Sequence, residues 1–217
     1  MAVVDVRDAR KVYASASGSV VALDGVSLSV DAGEMVGLVG PSGCGKSTLL
    51  NLVGCVDLPT TGEVWVDGNR TTGLSDDELT ALRRSRVGTV FQFFNLLPAL
   101  TVEQNVALPL VLAGGARREI AGRVAGILQR VGLTGRAQAF PAEISGGESQ
   151  RAAIARAVIH QPAIVLADEP TGNLDSKNGT AVLELLHELA AGGRAVLMAT
   201  HSEKAAAVCD RIVAMPL

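Results

Sequence analysis

The chain has 217 residues, 48% of them hydrophobic and only 3% aromatic, so it can bury one sizeable core made mostly of Ala, Val, Leu and Ile. Its 19 basic and 22 acidic residues give a formal charge of −3 without any basic block, so no nucleic acid or anionic lipid is expected as a partner. Cys44, Cys55 and Cys209 fit no metal-ligand spacing and suit a reducing compartment. The charged N-terminus does not read as a signal peptide, and no apolar run is long enough to span a membrane.

In chain order, residues 1–39 predict strands, with short apolar or alternating runs at Val20–Leu23, Val26–Val30 and Met35–Val39 broken by Asp-Gly and Ala-Gly pairs. A helix follows at 46–54, then a strand at Glu63–Val66 closed by Asp67-Gly68. Ser75 with Glu78 forms a capping box for a helix to about Ser85, and Val87–Phe91 is a strand. Thr101 with Gln104 caps the next helix. Ile120, Val124, Ile127, Leu128 and Val131 recur at helical spacing, and another helix runs from about Gly147 to His160. The chain then alternates again: strand Ile164–Ala167, helix Lys177–Ala190, strand Arg194–Thr200, helix Glu203–Val208 and strand Ile212–Ala214. Such alternation predicts right-handed crossovers and a largely parallel sheet, an α/β fold.

Gly40-Pro41-Ser42-Gly43-Cys44-Gly45-Lys46-Ser47 fits G-x-x-x-x-G-K-[ST] and lies between an apolar strand and a helix, where the motif works. Glycines let backbone N–H groups turn inward around phosphate oxygens, and the helix N-terminus adds its positive end. Lys46 is expected at the β- and γ-phosphates, and Ser47 on Mg²⁺ with Thr48 beside it. The Cys44 thiol is expected where an adduct would crowd the phosphates. Farther on, Ile164-Val-Leu-Ala-Asp168-Glu169 is an apolar strand ending in two acids. Ligands of open α/β sheets bind beyond the carboxyl ends of strands. Asp168 is therefore expected to hold Mg²⁺, and Glu169 to polarise the water that attacks the γ-phosphate.

Ile144-Ser-Gly-Gly-Glu-Ser-Gln-Arg151 resembles the LSGGQ signature that separates ABC ATPases from other phosphate-loop enzymes. Ser145, Gly146 and Gly147 open a helix there, which suits a second phosphate clamp, and Glu148 stands at the signature glutamine. The family's remaining elements follow in order across the whole chain. By this resemblance Tyr13 stacks on adenine, and Gln92 touches the metal and couples the site to a transmembrane partner. Asn173-Leu-Asp175 faces a partner subunit, and His201 is a switch near the γ-phosphate. The implied catalytic set is Lys46, Gln92, Glu169 and His201, with ATP and Mg²⁺ as cofactors and Ser47, Gln92 and Asp168 around the metal.

The implied fold is a phosphate-loop core with a mostly parallel sheet, an antiparallel β subdomain and an α-helical subdomain. Its core lobe would be 1–92 and 161–217 and its helical lobe about 93–160. Gly54–Gly62, Phe91–Pro98 and Pro170–Asp175 are similar to the lipoprotein-release and macrolide-export group, whose permeases are FtsX-like. Ile144 for leucine and Ser149 for glutamine depart from that pattern, and the sequence stops at Leu217 where relatives usually add a short hairpin or more.

These resemblances imply the motor subunit of a transporter, on the cytoplasmic face of the cell membrane. It would form an ATP-dependent homodimer and drive a separate permease, the segment around Phe94 and Leu97 forming the docking groove. Two alternatives share many motifs: a regulatory ATPase driving cell-wall hydrolases through an FtsX-like protein, and an ABC ATPase acting on DNA. The second usually carries a long insertion, for which the stretch from Lys46 to Pro141 leaves no room. A nucleoside-phosphate kinase would leave 144–151 unexplained.

Overall fold

The computed structural model describes residues 2–15 and 18–215. Leu217 lies outside the described residues. Two long strands, β1 (Ala2–Ser15) and β2 (Gly18–Asp31), open the chain, followed by β3 (Met35–Val39) and α1 (Lys46–Val53). Next come β4 (Thr61–Val66), β5 (Asn69–Arg70), α2 (Asp76–Arg86) and β6 (Val87–Val90). Helices α3 (Val102–Leu112), α4 (Arg117–Arg130) and α5 (Gly146–Val158) form the middle, with 3₁₀ turns at Thr134–Arg136 and Pro141–Glu143. The last part is β7 (Ile164–Asp168), α6 (Ser176–Ala191), β8 (Ala195–Ala199), α7 (Glu203–Ala206) and β9 (Arg211–Ala214).

Two sheets result. One is antiparallel, in the order β2-β1-β4-β5; the other runs β6-β7-β8-β3-β9 with every pairing parallel. The expected runs Val20–Leu23 and Val26–Val30 are one strand, because Asp24-Gly25 does not reverse the chain. It is absorbed as an irregularity in the register between β1 and β2, with Gly25 at φ 66°. By contrast, Asp67-Gly68 does reverse the chain: both residues have positive φ, and Val66 pairs with Asn69.

Full burial explains the apolar strands of the parallel sheet. Ile164, Leu166, Leu197 and Leu38 face a core shared with α1 and the antiparallel sheet. The alternate residues Val165, Ala167, Val196 and Met198 face a second core with α5 and α6. A third cluster joins Val102, Val106, Val124, Leu128 and Ala155 of α3, α4 and α5. Helix α5 contributes to both of these latter clusters, so the signature helix is packed on the sheet as well as among the middle helices. Local chemistry sets the helix starts. The Ser75–Glu78 and Thr101–Gln104 boxes both form, and Ser145–Glu148 makes a third. No described helix is long and apolar enough to cross a membrane.

Candidate functional site

The phosphate loop leaves β3 and enters α1 with Gly40, Gly43 and Gly45 at φ 157°, 84° and 92°. Gly45 is the position that tolerates no side chain: a Cβ there would overlap the Ala22 carbonyl and lie 2.7 Å from Leu23. Lys46 folds back over the loop, its Nζ donating to the carbonyls of Gly40 (2.7 Å) and Pro41 (3.0 Å). Pro41, Ser42 and Gly43 are exposed along the rim. Cys44 contributes its backbone to the loop, but its thiol turns into the core and is 7% exposed, so the expectation that it faces the phosphates is corrected. Gly40 packs against that thiol: a Cβ at position 40 would lie 2.7 Å from Sγ.

Asp168 at the end of β7 accepts a hydrogen bond from Ser47 Oγ at 3.0 Å. Burial raises its pKa and the neighbouring Glu169 raises it further, against the opposing bond from Ser47. Glu169 has φ 47°, a left-handed conformation that costs a non-glycine residue energy and is found where the surrounding structure imposes it. Its amide donates to the Ala199 carbonyl at 3.0 Å, tying it to the end of β8. The carboxylate reaches across the same seam: Oε1 lies 2.8 Å from His201 Nδ1, and Oε2 accepts from Thr200 Oγ1 and the His201 amide at 3.3 Å. Gln92, just after β6, lies against the turn following Glu169: a Cβ at Gly172 would sit 2.8 Å from its Nε2. Asn173 Nδ2 donates to the Gln92 carbonyl at 3.1 Å. Lys46, Ser47, Gln92, Asp168, Glu169 and His201 therefore gather at the carboxyl ends of β3, β6, β7 and β8.

The Ser47 hydroxyl and Asp168 carboxylate are adjacent hard oxygen donors, the kind of set that suits Mg²⁺ completed by phosphate and water oxygens. Tyr13, 37% exposed, sits beside Thr48 at the start of α1. Lys11 lies over its ring at 4.9 Å, and its hydroxyl donates to Asp57 Oδ2 at 2.8 Å, while Lys11 Nζ binds Asp57 Oδ1 at 2.5 Å. Burial pushes the Asp57 carboxyl up, but the bonds from Lys11, Tyr13 and the Leu58 amide outweigh it and hold it below its ordinary value. This clasp on the ring was not legible from the sequence, since 44 positions separate Tyr13 from Asp57.

The segment 145–148 opens α5. Glu148 accepts from the Ser145 amide and hydroxyl at 2.8 Å and pairs with Arg136 at 2.9 Å. The Ser145 bonds first, then Arg136, hold its pKa down to about 2. Its carboxylate is thus engaged within the chain, at the start of α5. Gly146 packs against Phe94, and Gly147 is pressed on Asn178 so closely that no Cβ fits. Asp175 caps α6, accepting from the Lys177 and Asn178 amides at 3.0 and 2.9 Å and from Asn178 Nδ2 at 2.6 Å. These bonds, the Asn178 amide foremost, lower its pKa. Asn178 therefore links the segments containing Gly147 and Asp175, which the sequence reading left unconnected.

A groove of about 420 Å³ lies beside this region, lined by Val56, Arg84, Phe91, Pro109, Leu112 and His160 among others. Phe93 is the most exposed of the aromatic residues there, at 72%, and Leu97 is exposed at 45%. Phe94 is half-buried, with φ 61° followed by Asn95 at 49°, and Arg156 braces both carbonyls at 2.9 and 2.6 Å.

Comparison with known proteins places the chain in a family. The family model for ABC transporters matches residues 23–172. A macrolide export ATP-binding/permease protein, MacB, of Hyphomonas neptunium is 44% identical over 210 residues, 97% of this chain and 33% of the relative. The namesake of Burkholderia pseudomallei is 49% identical over 194 residues, 89% of this chain and 30% of that one. An ABC transporter ATP-binding protein of Mycobacterium tuberculosis is 47% identical over 192 residues, 88% of this chain and 77% of its own. The chain thus spans about a third of the length of the macrolide-export relatives it matches. Among solved structures, a dimeric, post-hydrolysis form of the ATP-binding cassette MJ0796, bound to ADP and Pi, superposes with a TM-score of 0.90 at 43% identity, covering 98% of this chain and 94% of that one.

Proposed function

The chain belongs to the ABC transporter family, and from that premise we propose that it is an ATP-hydrolysing motor that powers a membrane permease of the macrolide-export or lipoprotein-release type. The observation that carries this reading is the joint position of Ser47, Asp168, Glu169 and His201 directly beyond the phosphate loop. Gly40 to Thr48 cradle the triphosphate, Lys46 leaves the loop carbonyls for the β- and γ-phosphates, and Tyr13 offers its free ring face to adenine. Mg²⁺ held by Ser47 and Asp168, with Gln92 beside it, would neutralise charge on the phosphates during in-line attack. Glu169 accepts a proton from the attacking water as the water oxygen bonds to the γ-phosphorus and the bond from that phosphorus to the β,γ-bridging oxygen breaks, releasing ADP and phosphate. His201 orients that carboxylate and faces the same phosphate.

Hydrolysis in this reading needs two copies closed head to tail. Ser145, Gly146 and Gly147 of one copy cap the nucleotide held by the other, with Glu148 fixing the turn and Asp175 at the seam. The dimeric state of the similar cassette supports the pairing of two copies. The chain would act on the cytoplasmic face of the membrane, bound to an FtsX-like permease. The groove between Val56, Phe91 and Leu112 is the surface best suited to a short partner helix. Light scattering on Glu169→Gln with ATP and Mg²⁺ tests closure. A dimer with ATP and a monomer with ADP is the expected result; a monomer under both conditions contradicts it.

A further inference from the structure

Helix α5 makes a second connection to the site, through Gln150. Its side chain is fully buried, at 0% exposure. Nε2 donates to the Pro170 carbonyl at 2.7 Å and, more weakly, to the Phe91 carbonyl at 3.4 Å. Pro170 directly follows Glu169, and Phe91 directly precedes Gln92. One carboxamide on the helix that opens with Ser145 and Gly147 therefore holds the backbone at both strand ends that carry the proposed water-activating and metal-touching residues.

Only one end of this buried carboxamide is satisfied. Oε1 is buried and has no hydrogen-bond partner, an arrangement that carries a desolvation penalty. What the glutamine gains is the grip of Nε2 on the Pro170 carbonyl, a buried bond that an apolar side chain would lose. Glu169, meanwhile, sits in a left-handed conformation that its surroundings must impose, and the Pro170 carbonyl is the nearest backbone group after it that a distant helix grips.

We propose that Gln150 is a positioning residue for hydrolysis: it sets the backbone at Glu169–Pro170 and Phe91–Gln92 and passes displacement of α5 on to both. The inference rests on the functional reading above, in which Glu169 activates water. Its hydrogen bonds go to the Pro170 and Phe91 carbonyls rather than to the phosphate loop or Tyr13.

The test uses the full chain with Gln150→Met, which keeps length and shape and removes both polar atoms. Steady-state kcat is expected to fall about tenfold or more, while the ATP dissociation constant and KM stay within about twofold. In the Glu169→Gln background, adding Gln150→Met is expected to lower single-turnover hydrolysis by less than about twofold, because the residue it positions is already disabled. Should Gln150→Met not fold, Gln150→Asn retains polarity, falls one methylene short of the carbonyls and is expected to give the same split between kcat and KM. Three results would overturn the inference alone: hydrolysis by wild type with kcat unchanged in the folded variants, equal losses in kcat and ATP affinity, or full additivity with Glu169→Gln. Wild type that binds ATP without hydrolysing it would overturn the functional reading, and this inference with it.

Discussion

Gly88→Ala is the substitution whose effect the packing specifies most tightly. Gly88 lies in β6 opposite Val165 of β7, and its outer face meets the end of α5. An added Cβ would overlap the Ala157 carbonyl oxygen and lie 3.0 Å from the carbonyl carbon and 3.1 Å from Pro162 Cγ. Both obstacles are stiff: one is helix backbone and the other a proline ring. Backbone strain is not at issue, since Gly88 does not have positive φ. Relief requires α5 to move off the sheet by roughly 1 Å, and overpacking of this kind costs about 1–3 kcal/mol, with the rigid partners placing this case near 3. For a chain of this size that corresponds to a Tm lowered by roughly 6–12 °C. The displaced helix also carries Ser145 and Gln150, so ATPase activity is expected to fall below what lost stability alone causes. Gly126→Ala in α4 is the control. No atom beyond its chain neighbours and its own helix backbone lies within 4 Å of its added Cβ, and removal of a helix-interior glycine is expected to stabilise by up to about 1 kcal/mol. Urea denaturation of the two variants measures both effects. A Gly88→Ala protein within about 0.5 kcal/mol of wild type would refute the packing argument.

Tyr13→Ala is expected to weaken ATP binding by calorimetry, whereas Tyr13→Phe loses the hydroxyl's interactions with Asp57 and Thr48 and keeps the stacking face, so its affinity is expected within a few-fold of wild type. Because the Cys44 thiol is buried, mass-spectrometric mapping after brief maleimide treatment is expected to find slow labelling at Cys44, unchanged by ATP; rapid, ATP-protected labelling would place the thiol on the phosphate side. His160 donates through Nε2 to the Val87 carbonyl, and burial, then the nearby Arg123 and Arg194 charges, lower its pKa against the pull of that bond. Its folded pKa lies below the unfolded value near 6.5, so its contribution to stability is full above about pH 6.5 and is lost as pH falls toward the folded pKa. Urea melts at pH 7.5 and 5.5 are expected to show wild type losing more stability on acidification than His160→Gln, and an equal loss in both would contradict this.

What the sequence made legible was local. The phosphate loop is contiguous, the two acids sit at the end of an apolar strand, and the boxes at Ser75–Glu78 and Thr101–Gln104 are read within four residues. The sheet order was not legible, since β3 lies between β8 and β9 in space while preceding both in the chain. Asp24-Gly25 and Asp67-Gly68 look alike in sequence, yet one is absorbed inside β2 and the other turns a hairpin, where Asp67 as well as Gly68 takes positive φ. The candidate site divides in the same way. Residue types predicted Lys46, Ser47, Asp168 and Glu169, but the contacts that orient them join distant segments. Lys11 and Asp57 around Tyr13 and Asn178 against Gly147 carry no sequence signal of their own, and the signature stretch that contains Gln150 does not reveal its bond to Pro170. Phe94 illustrates the converse: exposure expected from an aromatic-rich loop goes to Phe93, because Phe94 turns in against Gly146.

The central claim is that Glu169 activates water for attack on ATP held by this chain, and steady-state ATPase of Glu169→Gln beside wild type tests it most directly. The substitution preserves the size of the side chain and its hydrogen-bonding reach toward His201 and Thr200 while removing the base. Loss of a positioned general base slows a reaction by about 10²–10⁴-fold, so turnover is expected to fall at least about 100-fold with ATP still bound. Turnover within about threefold of wild type, a barrier change of roughly 0.7 kcal/mol, would contradict the account.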